Sequence, residues 1–220
     1  MNSSASKTSP KLAPKAPSWA YAEDFVAESE VAAAARGNAV PLGITPVGRG
    51  AASALTWAAR VVQARAVVEI GTGSGVSGLA LFAGMQPAGV LTSVDVESEH
   101  QALARKSFLQ TGIPSQRFRL INGAALNVLP RLSDGAYDLV FIDGDKLEYP
   151  QYVEQGLRLL RHGGIMALDD ALWHDRVVDP SNTDEETEAI REALTSIGEN
   201  EDLVSTLLPV GDGLLFAVKL

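Results

Sequence analysis

The sequence predicts a doubly wound α/β fold. Three observations carry that prediction: short apolar runs alternate with helical segments from Ala66 onward, a glycine-rich turn follows the first run, and the chain closes on a hairpin-like pair of strands. The five alternating runs are Ala66 to Ile70, Val90 to Asp95, Phe118 to Asn122, Tyr137 to Ile142 and Gly164 to Leu168. Each is short and apolar throughout, as expected of strands covered on both faces in a parallel sheet. The segments between them predict helices at about Val76 to Met85, Glu97 to Gln110, Ala124 to Leu132 and Tyr149 to Arg161. A further helix opens at Thr183, with Glu186 placed for a capping box. Leu203 to Pro209 and Leu214 to Lys219 then flank Val210-Gly211-Asp212-Gly213, an antiparallel hairpin that brings the expected sheet to seven strands, mostly parallel.

Ahead of this alternation, Ser18 to about Arg36 reads as one helix capped by Ser18, carrying Trp19, Phe25, Val26 and Val31 and stopped by Gly37 and Asn38. The loop from Pro41 to Gly48 leads into a second helix, about Arg49 to Gln63. Residues 1–17 are mostly Ser, Ala, Lys and Pro without apolar periodicity, which predicts a flexible tail before a single domain over residues 18–220.

Composition narrows the function. The chain has 220 residues and no cysteine, which excludes disulfides, thiolate metal sites and a cysteine nucleophile. Any metal must be held by oxygen or imidazole ligands. The net charge is −9 and no run of Lys or Arg is present, so a nucleic-acid partner is not expected. No apolar run approaches the roughly 18 to 20 residues of a membrane span. The N-terminus has no apolar block of a signal peptide, and the expected location is the cytoplasm.

The segment Val68 to Ser77, with Gly71, Gly73 and Gly75, joins a strand end to a helix start. Such a turn lets a ligand approach the backbone and meet the unpaired N–H groups of the helix N-terminus. A nucleotide-like ligand fits, and so does a turn that only packs helix on strand. Gly73-Ser74-Gly75-Val76-Ser77-Gly78 also satisfies the dinucleotide pattern. Asp95, at the end of the second strand, suits the hydroxyls of an adenosine ribose in NAD or S-adenosylmethionine alike. Glu69 distinguishes them, because an acid beside the loop favours a cationic sulfonium amino acid over a pyrophosphate. A carboxylate satisfied by backbone N–H groups is the alternative.

The fourth and fifth strands end in Asp143-Gly144-Asp145-Lys146 and Asp169-Asp170. Parallel strands deliver these tips to one carboxyl edge. Crowded carboxylates there require protonation or a cation, and Asp143, Asp169 and Asp170 suit Mg²⁺ or a similar ion such as Mn²⁺ or Ca²⁺. Capping of the following turns is the competing role for each. Lys146 stands close enough to act as a base on a hydroxyl in the same cleft, or to serve as an ion-pair partner. Trp173 and His174, just past the second tip, are either walls of an acceptor pocket or lid packing.

Together these motifs resemble the cation-dependent O-methyltransferases, the family of catechol and caffeoyl-coenzyme A O-methyltransferases. The resemblance runs from about Ile44 to the C-terminus through Ile44-Thr45-Pro46, Glu69 to Ser77, Asp95, Gly123-Ala124-Ala125 and Phe141 to Lys146. It continues through Gly163-Gly164, Asp169 to Trp173, and Leu208 to Gly213. It implies a Rossmann-like S-adenosylmethionine-dependent methyltransferase fold. Thr45, Val47, Glu69, Gly71, Thr72, Ser77, Asp95, Ala125 and Asp145 would line the cofactor site. Asp143, Asp169 and Asp170 would hold a divalent cation, Lys146 would be the general base with Asp143 beside it, and a small hydroxylated acceptor and a homodimer are expected. The family pattern has Asn where Asp170 stands. An Asn that touches substrate in the plant enzymes matches His174, and an acidic pair matches Gly48 and Arg49.

Overall fold

The structure is a computed structural model that describes residues 16–220. The expected tail lies outside the described residues apart from Ala16 and Pro17, which open a helix. In chain order the elements are α1 (Ala16–Glu23), α2 (Glu30–Ala39), α3 (Arg49–Val61), β1 (Ala66–Ile70), α4 (Val76–Gly84), β2 (Val90–Asp95) and α5 (Ser98–Gln110). They continue with β3 (Phe118–Asn122), α6 (Ala125–Val128), β4 (Tyr137–Ile142), α7 (Tyr149–Leu159), β5 (Leu160–Leu168), α8 (Glu185–Gly198), β6 (Leu203–Leu208) and β7 (Leu214–Lys219).

The strands form one seven-stranded sheet in the order β3-β2-β1-β4-β5-β7-β6. The first five are parallel, and β7 runs antiparallel to both β5 and β6, as the sequence predicts. Strand alternation divides the core into two halves. Leu139 and Phe141 of β4 point into a cluster with Leu55, Phe82 and Phe108 of α3, α4 and α5. Val140 and Ile142 point the other way, to Tyr149, Val153 and Ile190 of α7 and α8. Both faces of β4 are therefore dry, which is why its sequence is an unbroken apolar run.

The chain reverses its direction of travel across the sheet between β1 and β4, and such a switch point opens a crevice at the carboxyl edge. The strand tips meet closely there. The Asp143 N–H donates to the Ile70 carbonyl at 2.8 Å. A Cβ placed on Gly71, whose φ is +91°, would stand 1.9 Å from the Asp143 carbonyl oxygen. Glycine is needed at that position on both counts.

Five expectations are corrected. The single helix from Ser18 to Arg36 is two helices, because Ser29 adopts extended backbone and its side chain caps α2 by accepting from the Ala32 N–H at 3.2 Å. Gly37 and Asn38 lie inside α2, and the chain turns only at the Val40–Leu42 3₁₀ turn that contains Pro41. The helix expected to run to Arg161 ends at Leu159, and β5 begins at Leu160, with Tyr137 pairing Leu160 across a register shift that absorbs Gly163 and Gly164. The helix expected to Leu132 gives way after Val128 to a 3₁₀ turn, where Pro130 sits. The last helix is capped by Asp184 in place of Thr183: its carboxylate accepts from the Thr187 N–H at 3.0 Å and from the Thr187 hydroxyl at 2.8 Å.

Helix α1 buries no side chain. It is held through its last residue, Glu23, whose carboxylate accepts from the Gly50 N–H at 2.7 Å and from the Gly211 N–H. Glu23 thereby ties α1 to the N-terminus of α3 and to the β6–β7 turn.

Candidate active site

The crevice between β1 and β4 is a cavity of about 330 Å³ at the carboxyl edge of the sheet. Its floor is the glycine turn after β1, its sides are the ends of β2 and β4, and Ile44 to Pro46 cover it. Of the residues assigned to cofactor binding, Thr45, Gly71, Thr72, Ser77, Asp95, Ala125 and Asp145 line this cavity. Val47 and Glu69 do not. Val47 is buried in the core beneath α3, and its carbonyl accepts from Arg36 at 2.8 Å.

Glu69 is wholly buried one layer below the cavity. It accepts from Ser77 Oγ at 2.7 Å and from Ser93 Oγ at 2.5 Å, and Ser93 in turn meets Thr72 Oγ1 at 2.6 Å. Ser77 and Thr72 line the cavity, so hydroxyls relay the acid to the ligand space. Burial pushes the Glu69 carboxyl up to about 7, against the two serine hydrogen bonds that favour its ionised form. Because its folded-state pKa is raised, Glu69 contributes least destabilisation below about 4.5 and progressively more as pH rises to about 7. Replacing Glu69 with Gln removes this titration. The stability of the variant relative to the unsubstituted protein should therefore grow by about 2 to 3 kcal/mol between pH 5 and pH 8, measured by urea unfolding. A pH-independent difference between the two would refute the assignment.

Asp95 closes the opposite wall. Its Oδ2 accepts from the backbone N–H groups of Thr72 at 2.9 Å and Gly73 at 3.0 Å, and its Oδ1 accepts from the Glu97 N–H at 2.8 Å. Asp145 caps the 3₁₀ turn of Lys146–Glu148, accepting from the Leu147 N–H at 3.0 Å, so capping and cavity lining coincide in one residue.

Next to the cavity the structure assembles the predicted charged cluster. Lys146 Nζ stands 3.1 Å from Asp143 Oδ1 and 2.7 Å from Asp170 Oδ2. It also donates to Tyr149 Oη at 2.7 Å, and the Tyr149 hydroxyl donates to the Asp169 carbonyl at 3.1 Å. Aromatic faces complete the cage, with the Tyr149 ring centre 4.8 Å and the Trp173 ring centre 5.6 Å from Nζ. Burial acts to lower the Lys146 pKa, yet its contacts with Tyr149, Asp143 and Asp170 outweigh burial and hold the ammonium above its ordinary range. Asp143 is raised mainly by burial, and Asp169 well above the usual carboxylate range by burial and by the neighbouring charges of Asp143 and Asp170.

Asp169 is buried, and its Oδ1 meets no donor. The donor chemistry fits a hard cation: three carboxylates at one edge, one with an oxygen left unpartnered. Two of them are turned to Lys146, however, and among the described residues no three Asp, Glu or His side chains converge as a metal-holding set.

Past Asp169 the backbone is unusual. Asp170, Trp173, His174 and Asp175 all have positive φ, between 47° and 62°. The loop is fixed by Asp212, whose carboxylate accepts from the His174 N–H at 2.8 and 2.9 Å and pairs with His174 Nδ1 at 2.9 Å. His174 stacks on Trp173 with ring centres 5.2 Å apart. Trp173 packs on the core and its ring covers Lys146, and neither Trp173 nor His174 lines the cavity.

The family model described as O-methyltransferase matches residues 23–220. The chain belongs to the O-methyltransferase family. A Mycobacterium sp. (strain JLS) protein provisionally named an O-methyltransferase is 48% identical to this O-methyltransferase over 200 residues, 91% of each chain. A similarly named protein of Mycobacterium tuberculosis (strain ATCC 25618 / H37Rv) is 46% identical over 201 residues, covering 91% of this chain and 90% of its own. Among solved structures, a Corynebacterium glutamicum protein matches with a TM-score of 0.84 at 30% identity over 90% of this chain and 94% of that one. The O-methyltransferase TomG of Streptomyces achromogenes, solved in complex with SAM, matches with a TM-score of 0.83 at 25% identity over 92% and 97% of the two chains. Two residues of this O-methyltransferase site were missed in the sequence, His100 and Tyr149, while Asp212 stood in the Leu208 to Gly213 block without a role. Tyr149 had a signal, since it follows Lys146 by one helical turn.

Proposed function

We propose that this O-methyltransferase takes its methyl group from S-adenosylmethionine in the cleft between β1 and β4. The acceptor is a hydroxyl of a small catechol-like or other hydroxylated aromatic compound. The observation that carries the reading is Asp143: it lines the cofactor cavity and also contacts Lys146 Nζ. The donor site and the proton-handling group thus share a wall.

The glycine turn admits the amino-acid part of the cofactor against the backbone. Glu69, behind Ser77, supplies the buried acid that a cationic ligand favours. Asp95 receives the ribose. S-adenosylmethionine supplies a methyl group on a positively charged sulfur, and its transfer to the acceptor oxygen leaves S-adenosylhomocysteine. Trp173, held in place through His174 and Asp212, offers a flat apolar face to an aromatic acceptor beside Lys146. Lys146 takes the proton of the acceptor hydroxyl at Nζ as the neutral amine, so it first releases its own proton to solvent, which requires Asp143 and Asp170 to turn from the ammonium they hold charged in the present arrangement. Positioning of the two reactants supplies much of the acceleration.

Asp143, Asp169 and Asp170 would hold a divalent cation, Mg²⁺ by its preference for carboxylate oxygens. The unpartnered Asp169 Oδ1 supports this. A cation held there would make the acceptor hydroxyl more acidic.

The test is transfer of labelled methyl from S-adenosylmethionine to a panel of hydroxylated aromatics, with Mg²⁺ and with a chelator. Transfer is expected to acceptors with adjacent hydroxyls, falling at least about tenfold on chelation and returning with Mg²⁺. Transfer undiminished by chelation removes the cation from the reading. No transfer to any hydroxylated aromatic removes the acceptor class.

A further inference from the structure

We infer that His100 is a cofactor-specificity residue, whose imidazole accepts one of the two ribose hydroxyls that Asp95 alone has no room to receive. The inference rests on the cofactor reading above and goes beyond it in assigning a residue that nothing in the motif pattern marks.

The argument begins with hydrogen-bond capacity. An ionised carboxylate offers about four lone-pair sites. Three of the sites on Asp95 are taken by the backbone N–H groups of Thr72, Gly73 and Glu97. These bonds hold Asp95 against the cavity, and they leave capacity for about one further donor. A ribose presents two adjacent hydroxyls, hence two donors. A second acceptor is required next to Asp95.

His100 stands where that acceptor is needed. It lies in the first turn of α5, five residues after Asp95, and side chains in a first turn lean back toward the helix N-terminus. That direction brings the ring over the end of β2. His100 lines the cavity together with Asp95, Val96, Glu97 and Ala124. Its Nδ1 is 3.4 Å from Asp95 Oδ2, and among the described residues its Nε2 has no hydrogen-bond partner. With Nδ1–H sharing Asp95 Oδ2, which already accepts from Thr72 and Gly73, Nε2 carries a lone pair and Oδ1 keeps its one open site, so Oδ1 and Nε2 form adjacent acceptors for a cis-diol. An apolar or ammonium side chain at position 100 could not do this.

The test is calorimetry with S-adenosylhomocysteine and with analogues of it that lack the ribose 2′- or 3′-hydroxyl. The variants are His100→Phe, which fills the space without an acceptor, and His100→Asn, which keeps one. His100→Phe is expected to weaken S-adenosylhomocysteine binding by about tenfold, the worth of one hydrogen bond. His100→Asn should recover part of the loss. For the analogue missing the hydroxyl that His100 receives, the protein with His100 and the Phe variant should bind equally. Equal binding of S-adenosylhomocysteine by both would overturn the inference, as would an equal loss across all three ligands, since that would mean His100 acts by shape alone. Failure of the unsubstituted protein to bind S-adenosylhomocysteine at all would instead defeat the cofactor reading, and this inference with it.

Discussion

Replacing Lys146 with Met is expected to reduce methyl transfer by about 100-fold or more, the usual contribution of a positioned proton acceptor, with S-adenosylhomocysteine binding left within a few-fold of the unsubstituted protein. Met is the informative choice because Lys146 is buried, with its ammonium set against the rings of Tyr149 and Trp173. An unbranched apolar chain preserves that packing, whereas Ala would add a void. The loss should fall on turnover, because Lys146 does not line the cofactor cavity and meets it only through Asp143. Lys146→Arg supplies the complementary control. It keeps a cation between Asp143 and Asp170 but cannot give up its proton, so it should stay folded and remain inactive. Activity retained in Lys146→Met would remove Lys146 from the chemistry.

The second large effect is expected at Gly71. Gly71→Ala would place a Cβ 1.9 Å from the Asp143 carbonyl oxygen, at a backbone φ of +91° that L side chains rarely adopt. The Asp143 carbonyl cannot yield cheaply. The neighbouring Asp143 N–H is bonded to Ile70, and Asp143 itself follows β4, which is fully buried at Phe141 and Ile142. We expect a stability loss of about 3 kcal/mol or more. Because any relief must part the tips of β1 and β4, cofactor binding should weaken further than stability predicts. Thermal unfolding with and without S-adenosylhomocysteine measures both effects. An unchanged Tm would contradict the described approach of the two strands.

The sheet was legible in the sequence because burial on both faces makes a strand an unbroken apolar run, as in Leu139 to Ile142. The helix ends were less legible. The break between α1 and α2 depends on Ser29 acting as a cap, and Ser29 sits among acidic and apolar residues that a continuous helix would also accept. The start of β5 was obscured because Gly163 and Gly164, which suggest a turn, are absorbed in a register shift of the strand.

At the site, chemistry confined to strand tips could be read directly, since β1, β2, β4 and β5 deliver Gly71, Asp95, Asp143 and Asp169 to one edge whatever the details of packing. Contacts set by side-chain direction could not. Glu69 faces away from the cavity because alternate residues of β1 face opposite sides, and its influence passes through Ser77 and Ser93. Lys146 carries two aspartates and a tyrosine on one ammonium, so the sign of its pKa shift followed from partners whose orientation the sequence does not state. His100 was invisible for the same reason: its relevance lies in the backward lean of a first-turn side chain.

The most direct test of the central claim is a calorimetric titration of the protein with S-adenosylhomocysteine and, separately, with NAD, since the glycine turn and Asp95 suit either adenosine cofactor. The account predicts one S-adenosylhomocysteine bound per chain with no measurable binding of NAD. Tight binding of NAD with none of S-adenosylhomocysteine would contradict it.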